Sequence, residues 1–262
     1  MYYYIFESPK NSRERQLFEK IRDVARTFGI AGEITQSSPA RTPDELTKMG
    51  LEKNYSTIIA IGTNSHINKI ITRIMKEKPE YPVAIGLIPT DPTSSLSKNW
   101  SYKSVEEACE TLKYRKVEKL NVGLIDPGRF FLTSAYIFSR KPIKFYLDVD
   151  RWQAEATANL IQIFSNLTVE VEKFDFEGSK LKAAINWLVG KSNEKVERSI
   201  FRGKTVKVSS DKVLPVYVDN EIVARTPISV YRKLKVLNVI MKRDKVLPDK
   251  THDAEDQSGE RN

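Results

Sequence analysis

The chain is predicted to be an α/β protein in two parts, a parallel α/β half followed by an antiparallel β half. Three observations carry this. Up to about Asn121, short apolar runs alternate with stretches of helical period. Beyond it, the hydrophobic period falls to two. At residues 58–71, an apolar run of four residues passes through small polar residues straight into a helical pattern. Strand, turn and helix in that order are the repeating unit of a parallel sheet covered on both faces.

In the first half, Tyr2-Tyr3-Tyr4-Ile5-Phe6 reads as a strand. Asn11 with Glu14 three residues on resembles a capping box, and Leu17, Phe18, Ile21, Val24, Ala25 and Phe28 fall on one helix face. Residues 33–36 form a short strand. Thr42-Pro43-Asp44-Glu45 has Thr at the N-cap, Pro at the first helical position and Glu at the third. A third strand covers 57–61 and a helix about 65–77, with Ile67, Ile70, Ile71, Ile74 and Met75 on its apolar stripe. Residues 84–88 make a fourth strand, and Ser104-Val105-Glu106-Glu107 opens another helix.

In the second half, Phe145/Leu147/Val149, Leu167/Val169/Val171, Val206/Val208 and Leu214/Val216/Val218 alternate with polar residues, and 234–241 is more continuously apolar. Leu181, Ala184, Ile185 and Leu188 interrupt them at helical spacing, closed by Gly190. From Asp244 the chain is charged and nearly devoid of apolar residues, so disorder is expected. The expected organisation is a Rossmann-like α/β domain over 1–121, a β-sandwich domain with one inserted helix over 122–243, and a tail over 244–262.

The 262 residues carry 43 basic and 34 acidic side chains, giving a net charge of +9. That balance favours anionic partners, phospholipid head groups or nucleic acid, although a solvated basic face is the plainer reading. No apolar run approaches the ~20 residues of a membrane span. The N-terminal apolar stretch is too short for a signal-peptide core and has no cleavage site. A cytoplasmic location follows as the expectation. Cys109 is the one cysteine and is expected to be a packed thiol; with two histidines far from it in sequence, no Cys/His metal site is expected.

Chemistry concentrates at Gly62-Thr63-Asn64-Ser65. A strand that enters a helix through small polar residues aims free N–H groups and the positive end of the helix dipole at one point, which suits a phosphate. Asn64 and Ser65 are expected to make the turn and cap the helix, which is compatible with nucleotide contact. Lys69, one turn on, reads as a solvated charge or a phosphate contact, and His66 as a surface or turn histidine. Trp100 and Tyr102 are expected to pack under their loop. Asp219 and Glu221 flank Asn220 in a turn.

Residues 62–69 resemble a motif of the diacylglycerol kinases and related bacterial lipid kinases, G-G-D-G-T followed by L-N-E. Gly62 matches the first Gly, Thr63 the second, Asn64 the Asp, Ser65 the third Gly and His66 the Thr. Ile67 and Asn68 match the Leu and Asn, and Lys69 replaces the Glu. Ser8-Pro9-Lys10-Asn11-Ser12 sits where the family has N-P-x-S-G, and Asp219-Asn220-Glu221 where it has D-G-E. The segment Asp91-Pro92-Thr93-Ser94-Ser95 replaces a glycine-rich stretch. The resemblance implies the family's NAD-kinase-like catalytic fold and its reaction, ATP-dependent phosphorylation of a lipid hydroxyl with ATP and Mg²⁺. It implies nucleotide contacts at Gly62, Thr63, Asn64, Ser65 and Lys69, and a cleft that includes Thr93, Ser94, Asn220 and Glu221.

The departures from the family bear on chemistry. Asn64 and Lys69 replace carboxylates, and Ser165-Asn166 stands where the family has an acidic pair that includes its general base. No residue is therefore assigned a catalytic or metal-binding role. The expectation is a pseudokinase, weak or inactive, that keeps a nucleotide- or anion-binding scaffold and sits in the cytoplasm or against an anionic membrane surface. The alternatives are an active lipid kinase with atypical motifs and a basic nucleic-acid-binding protein. The last rests on charge alone and has no supporting signature.

Overall fold

The computed structural model describes residues 1–174 and 197–242. The helix expected near Leu181 and the tail from Asp244 lie outside the described residues. The first half follows the expected order. Strand β1 (Tyr2–Phe6) pairs in parallel with β2 (Gly32–Gln36) on one side and β3 (Thr57–Gly62) on the other, and β3 pairs in parallel with β4 (Ala84–Pro89). Between them run α1 (Ser12–Thr27), α2 (Pro43–Glu52) and α3 (Asn64–Glu77), and after β4 come α4 (Ser95–Asn99) and α5 (Val105–Tyr114).

Strand alternation sorts the apolar side chains onto two faces. Tyr3, Ile5, Ile58 and Ala60 pack with Leu46 of α2 and Ile67, Ile70, Ile71 and Ile74 of α3. Tyr4, Phe6, Ile59 and Ile61 pack with Phe18, Ile21 and Ala25 of α1 and Ala108, Cys109 and Leu112 of α5. Each such buried aliphatic side chain contributes roughly 1.5–3 kcal/mol relative to exposure. Cys109 is a buried thiol, and burial pushes its pKa up to about 11. Trp100 is buried, and the Tyr102 hydroxyl donates to the Leu87 carbonyl at 3.2 Å, so both aromatics pack as expected.

The helix starts follow local chemistry. Thr42 forms a full capping box with Glu45. Asn11 accepts from the Glu14 N–H at 2.9 Å, but the Glu14 carboxylate takes the Lys10 N–H at 2.7 Å in place of the cap residue's own. At α3 the N-cap is Thr63, with no side-chain capping bond. The expected capping role of Asn64 and Ser65 is thus not what these residues do; both side chains reach to other parts of the chain.

The second half is built from β5 (Val117–Ile125), β6 (Arg129–Phe131), the long hairpin β7 (Ser134–Val149) and β8 (Trp152–Phe164), β9 (Thr168–Lys173), β10 (Glu197–Arg202), β11 (Thr205–Ser210), β12 (Pro215–Val218), β13 (Glu221–Arg225) and β14 (Ile228–Ile240). Strand β7 pairs with β12 near its start and β11 near its end, and with β8 throughout, across a register shift between Phe138 and Ile143. A second core of Ala135, Ile137, Phe145, Leu147, Ile161, Ile163, Val206, Val208 and Val216 lies among these strands.

Strand β14 joins the halves. It pairs antiparallel with β11 through Ile228–Tyr231 and in parallel with β4 through Asn238 and Val239, while β5 lies antiparallel along its flank. A register shift between Lys233 and Leu237 lets one strand serve both. Leu237, Val239 and Met241 end in the core around α2 and α3, and Ile240 in that around α1 and α5. Asn121, where the hydrophobic period changes, falls inside β5. Among the described residues the hydrogen bonding is therefore continuous from β10 to β2.

Glu172 of β9 is a buried carboxylate whose Oε2 has no hydrogen-bond partner. Burial pushes its pKa up to about 7, against the pull of the Arg198 guanidinium and with Glu170 adding to the rise. A folded pKa above the ordinary value of 4.5 means that the fold prefers the protonated acid. Its contribution is fully present below pH 4.5 and is lost as the pH rises through about 7. Glu172→Gln is expected to raise the melting temperature at pH 8 and to leave it almost unchanged at pH 4. Thermal unfolding of both proteins across that range measures it.

Candidate functional site

Because β1 and β3 are parallel neighbours with Phe6 opposite Ile61, the residue after β1 falls beside Gly62, the last residue of β3, and within reach of Thr63. The residue after β1 is Glu7. Its Oε2 accepts the Thr63 N–H at 2.6 Å, and its Oε1 accepts the Thr63 hydroxyl at 3.2 Å. The turn expected to offer its N–H groups to an anion thus already holds one from its own chain. Gly62 makes this possible. Its φ is +155°, and a Cβ there would lie 2.7 Å from Glu7 Cβ and Oε2. Lys10 lies 3.5 Å from the same carboxylate.

The expected residues divide into three groups. Ser65 and Lys69 converge on Glu221: the Ser65 hydroxyl donates to Oε1 at 2.6 Å, and Lys69 Nζ lies 2.6 Å from the same oxygen. Arg129 Nη2 stands 3.7 Å from Oε2. Asn64 turns the other way, its Nδ2 donating to Ser95 Oγ at 3.0 Å, and its Oδ1 is buried without a partner. Thr93 and Ser94 serve their own loop: Thr93 bonds Asp91 through both its N–H and hydroxyl, and Ser94 caps α4. Lys69 is therefore an ion-pair partner rather than a freely solvated charge. His66 is buried, not at the surface; its Nε2 lies 3.2 Å from the Ile5 carbonyl, and burial lowers its pKa.

Glu221 reaches the α3 turn because Asp219 and Asn220, with φ of +51° and +66°, form the two-residue turn between β12 and β13. Asn68 holds that turn. It is fully buried, donates to Asp219 Oδ2 at 2.5 Å and accepts the Leu132 N–H at 3.1 Å. The Thr133 hydroxyl donates to Asp219 Oδ1 at 3.2 Å, and Tyr136 donates to Asn220 at 2.8 Å. Burial raises the Asp219 carboxyl despite the hydrogen bonds from Asn68 and Thr133. Burial also acts to raise Glu221. There the hydrogen bonds from Lys69 and Ser65 and the charges of Lys69 and Arg129 outweigh it, and the carboxyl lies below its ordinary value.

Two cavities flank the turn. One of about 430 Å³ is bounded by Glu7, Lys10, Thr63, Ser65, Lys69 and Glu221. The other, of about 660 Å³, lies on the far side of Thr63, with Asn11, Arg13, Pro89, Trp100 and Tyr102 in its walls. Either has the volume of a small-ligand site. The carboxylates do not suit Mg²⁺, which takes several oxygen ligands in octahedral geometry. Glu7 is held by Thr63, Glu221 by Lys69, and Asp219 by Asn68 and Thr133. Among the described residues no group of three or more His, Cys, Asp or Glu is placed to hold a metal.

Sequence reasoning did not pick out Glu7, Arg129 or Thr133. Glu7 had a usable signal, since adjacent parallel strands place the residue after β1 beside Gly62. Arg129 and Thr133 had none, because only the packing of α3 on β6 brings them in.

A parallel α/β sheet whose strand–turn–helix faces a hairpin from an antiparallel β half defines the diacylglycerol-kinase-like fold. This chain is similar in structure to a diacylglycerol kinase from Bacillus anthracis str. Sterne, with a TM-score of 0.69 over 92% of this chain and 97% of that one, at 14% identity. A second solved structure assigned as a diacylglycerol kinase of that organism gives a TM-score of 0.68 at 13% identity, with the same coverage. At such identity the likeness is one of fold, and it bears out the fold implied by the sequence motifs. No protein-family model and no curated protein matches the sequence.

Two outcomes follow from this geometry. Gly62→Ala is expected to cost roughly 1–3 kcal/mol of stability, from the positive φ and the clash with Glu7; chemical denaturation measures it. Glu221 has a folded pKa below its ordinary 4.5, so its contribution is present above pH 4.5 and is lost as the pH falls through the folded value. Glu221→Gln is expected to lower the melting temperature at pH 7, by a difference that shrinks as the pH falls below 4.5.

Proposed function

We propose that this chain is a degenerate relative of the diacylglycerol kinases, one that keeps the nucleotide-binding scaffold and has lost efficient phosphoryl transfer. The observation that carries the reading is the Glu7 carboxylate on Thr63. It places a negative charge where the scaffold would seat a phosphate. The pairing of Lys69 with Glu221 supports the same reading, since it neutralises the carboxylate best placed to act from the β half.

Phosphoryl transfer depends on positioning and on neutralising charge on the transferred group, with a base to take the hydroxyl proton. Mg²⁺ normally carries much of that neutralisation. Here Asn64 and Lys69 supply no carboxylate, and Ser165 donates its hydroxyl to the Leu132 carbonyl at 3.0 Å, a structural bond. Losing one such electrostatic or acid–base group typically costs about 10²–10⁴-fold. Several together bring transfer to background. Binding is less demanding. The cavity of about 660 Å³ has the room for a base, Arg13 stands in its wall as a cation, and Glu7, on the other side of Thr63, sets a penalty on the phosphates.

The test is calorimetry of the purified protein with ATP, with and without Mg²⁺, alongside radiolabelled ATP and mixed-lipid vesicles. Weak ATP binding that is insensitive to Mg²⁺, without lipid phosphorylation, is the expected result. Glu7→Gln, which removes the charge but keeps an acceptor for Thr63, is expected to tighten ATP binding by about tenfold. Mg²⁺-dependent lipid phosphorylation that disappears in Asn64→Ala would instead establish an active kinase with atypical motifs.

A further inference from the structure

A third cavity, of about 480 Å³, lies beyond Lys69 from the turn, between the start of α2, the outer face of α3 and the turn joining β5 to β6. Three cations from different elements line it: Lys69 and Lys76 of α3 and Arg129 of β6. Pro43, Pro127 and Val223 supply apolar wall.

The cations here are short of partners. Arg129 is only 17% exposed in its side chain, yet its Nε and Nη2 have no hydrogen-bond acceptor. Its nearest carboxylate oxygen, on Glu221, stands at 3.7 Å because that group is held closer to Ser65 and Lys69. A largely buried guanidinium without a forked acceptor is a costly arrangement. Lys76 has no ion-pair partner among the described residues. Its stem lies across the β5–β6 turn, where a Cβ on Gly128 would sit 3.4 Å from Lys76 Cε. One carboxylate, Asp44, also lines the cavity, and it and the neighbouring Glu77 are both engaged by Arg73. Asp44 lies 3.1 Å from Arg73 Nη1, and Glu77 pairs with Nη2 of the same side chain. Lys76 is thus left without an ion-pair partner, and Arg129 with one distant carboxylate and no hydrogen-bond acceptor for Nε or Nη2, beside Lys69, which takes the nearer oxygen of Glu221.

We propose that this cavity binds a phosphate monoester, its oxygens between Arg129 and Lys76 and its organic group against Pro43, Pro127 and Val223. A monoester brings close to two negative charges and three acceptor oxygens. That number suits cations approaching from separate elements, and the forked guanidinium favours it over a single-charge anion. The same chemistry occurs in soluble phosphate esters and in lipids with a terminal phosphate.

The experiment separates these sources. Binding of glycerol 3-phosphate is measured by calorimetry, and co-sedimentation is measured with vesicles that contain phosphatidic acid or the same mole fraction of phosphatidylglycerol, a phosphodiester. Each is repeated with Lys76→Glu, Arg129→Lys and, as a charge-matched control on β11, Lys207→Glu. Lys76 is exposed on the last turn of α3, so its replacement leaves the core alone. A saturable response to the monoester that falls about tenfold or more in Lys76→Glu and Arg129→Lys, and is unchanged in Lys207→Glu, supports the site. Binding in calorimetry identifies a soluble ester; binding only to phosphatidic acid vesicles identifies the lipid. No response to either monoester overturns the proposal. So does equal binding to phosphatidylglycerol, or equal loss in Lys207→Glu, either of which marks general charge attraction. Nucleotide is absent throughout and residues 62–65 are untouched, so failure here is separate from failure of the nucleotide reading.

Discussion

Strand β14 is the constraint on which the site depends. One end pairs antiparallel with β11 in the β half and the other lies parallel to β4 in the α/β half. Backbone hydrogen bonds at both ends fix the two halves against one another. That fixes the distance between the α3 turn and the β12–β13 hairpin, and so brings Glu221 within 2.6 Å of both Ser65 and Lys69. Asn68, Thr72 and Thr133 reinforce the join by tying α3 to β6 and the hairpin through buried hydrogen bonds. Buried polar groups of this kind are costly if unpaired, so they favour one arrangement of the two halves.

Within that frame the electrostatics run opposite to those of a metal-dependent transfer site. Such a site gathers carboxylates around a cation and leaves N–H groups open for phosphate. Here a carboxylate closes on the Thr63 N–H, cations close on Glu221, and the neutral donors Asn68 and Thr133 hold Asp219. The substitutions are mutually consistent. Lys69, where the lipid kinases have Glu, would be a poor neighbour for a metal but is a good partner for Glu221. Glu7 would repel phosphate but satisfies the turn. The surplus of positive charge then moves to the far side of Lys69, around Arg129 and Lys76.

Much of the first half was legible because its signals are local. Thr42-Pro43-Asp44-Glu45 specifies a helix start through its own hydrogen bonds, and the isoleucine spacing after Ser65 specifies the buried face of α3. The strand–turn–helix at residues 57–77 is recognisable for the same reason. Local rules were less informative at the site itself. Asn64 and Ser65 have the composition of capping residues, but their side chains find better partners in Ser95 and Glu221, which lie 31 and 156 positions away. His66 sits among polar residues in the chain and is nonetheless buried against Ile5.

The sequence by itself determined the class of fold, the order of its elements and the place of the strand–turn–helix at residues 57–77, because periodicity, caps and turn residues act over a few positions. It also determined that carboxylates of the lipid-kinase motifs are missing. Tertiary structure alone decided which charges meet. Glu7 reaches Thr63 through the parallel pairing of β1 and β3, Glu221 reaches Lys69 through β14 and the hairpin, and Arg129 is left without a close acceptor by the packing of β6 on α3. Pairings of this kind depend on contacts between residues far apart in the chain, and no local pattern encodes which of 43 cations will face which of 34 carboxylates.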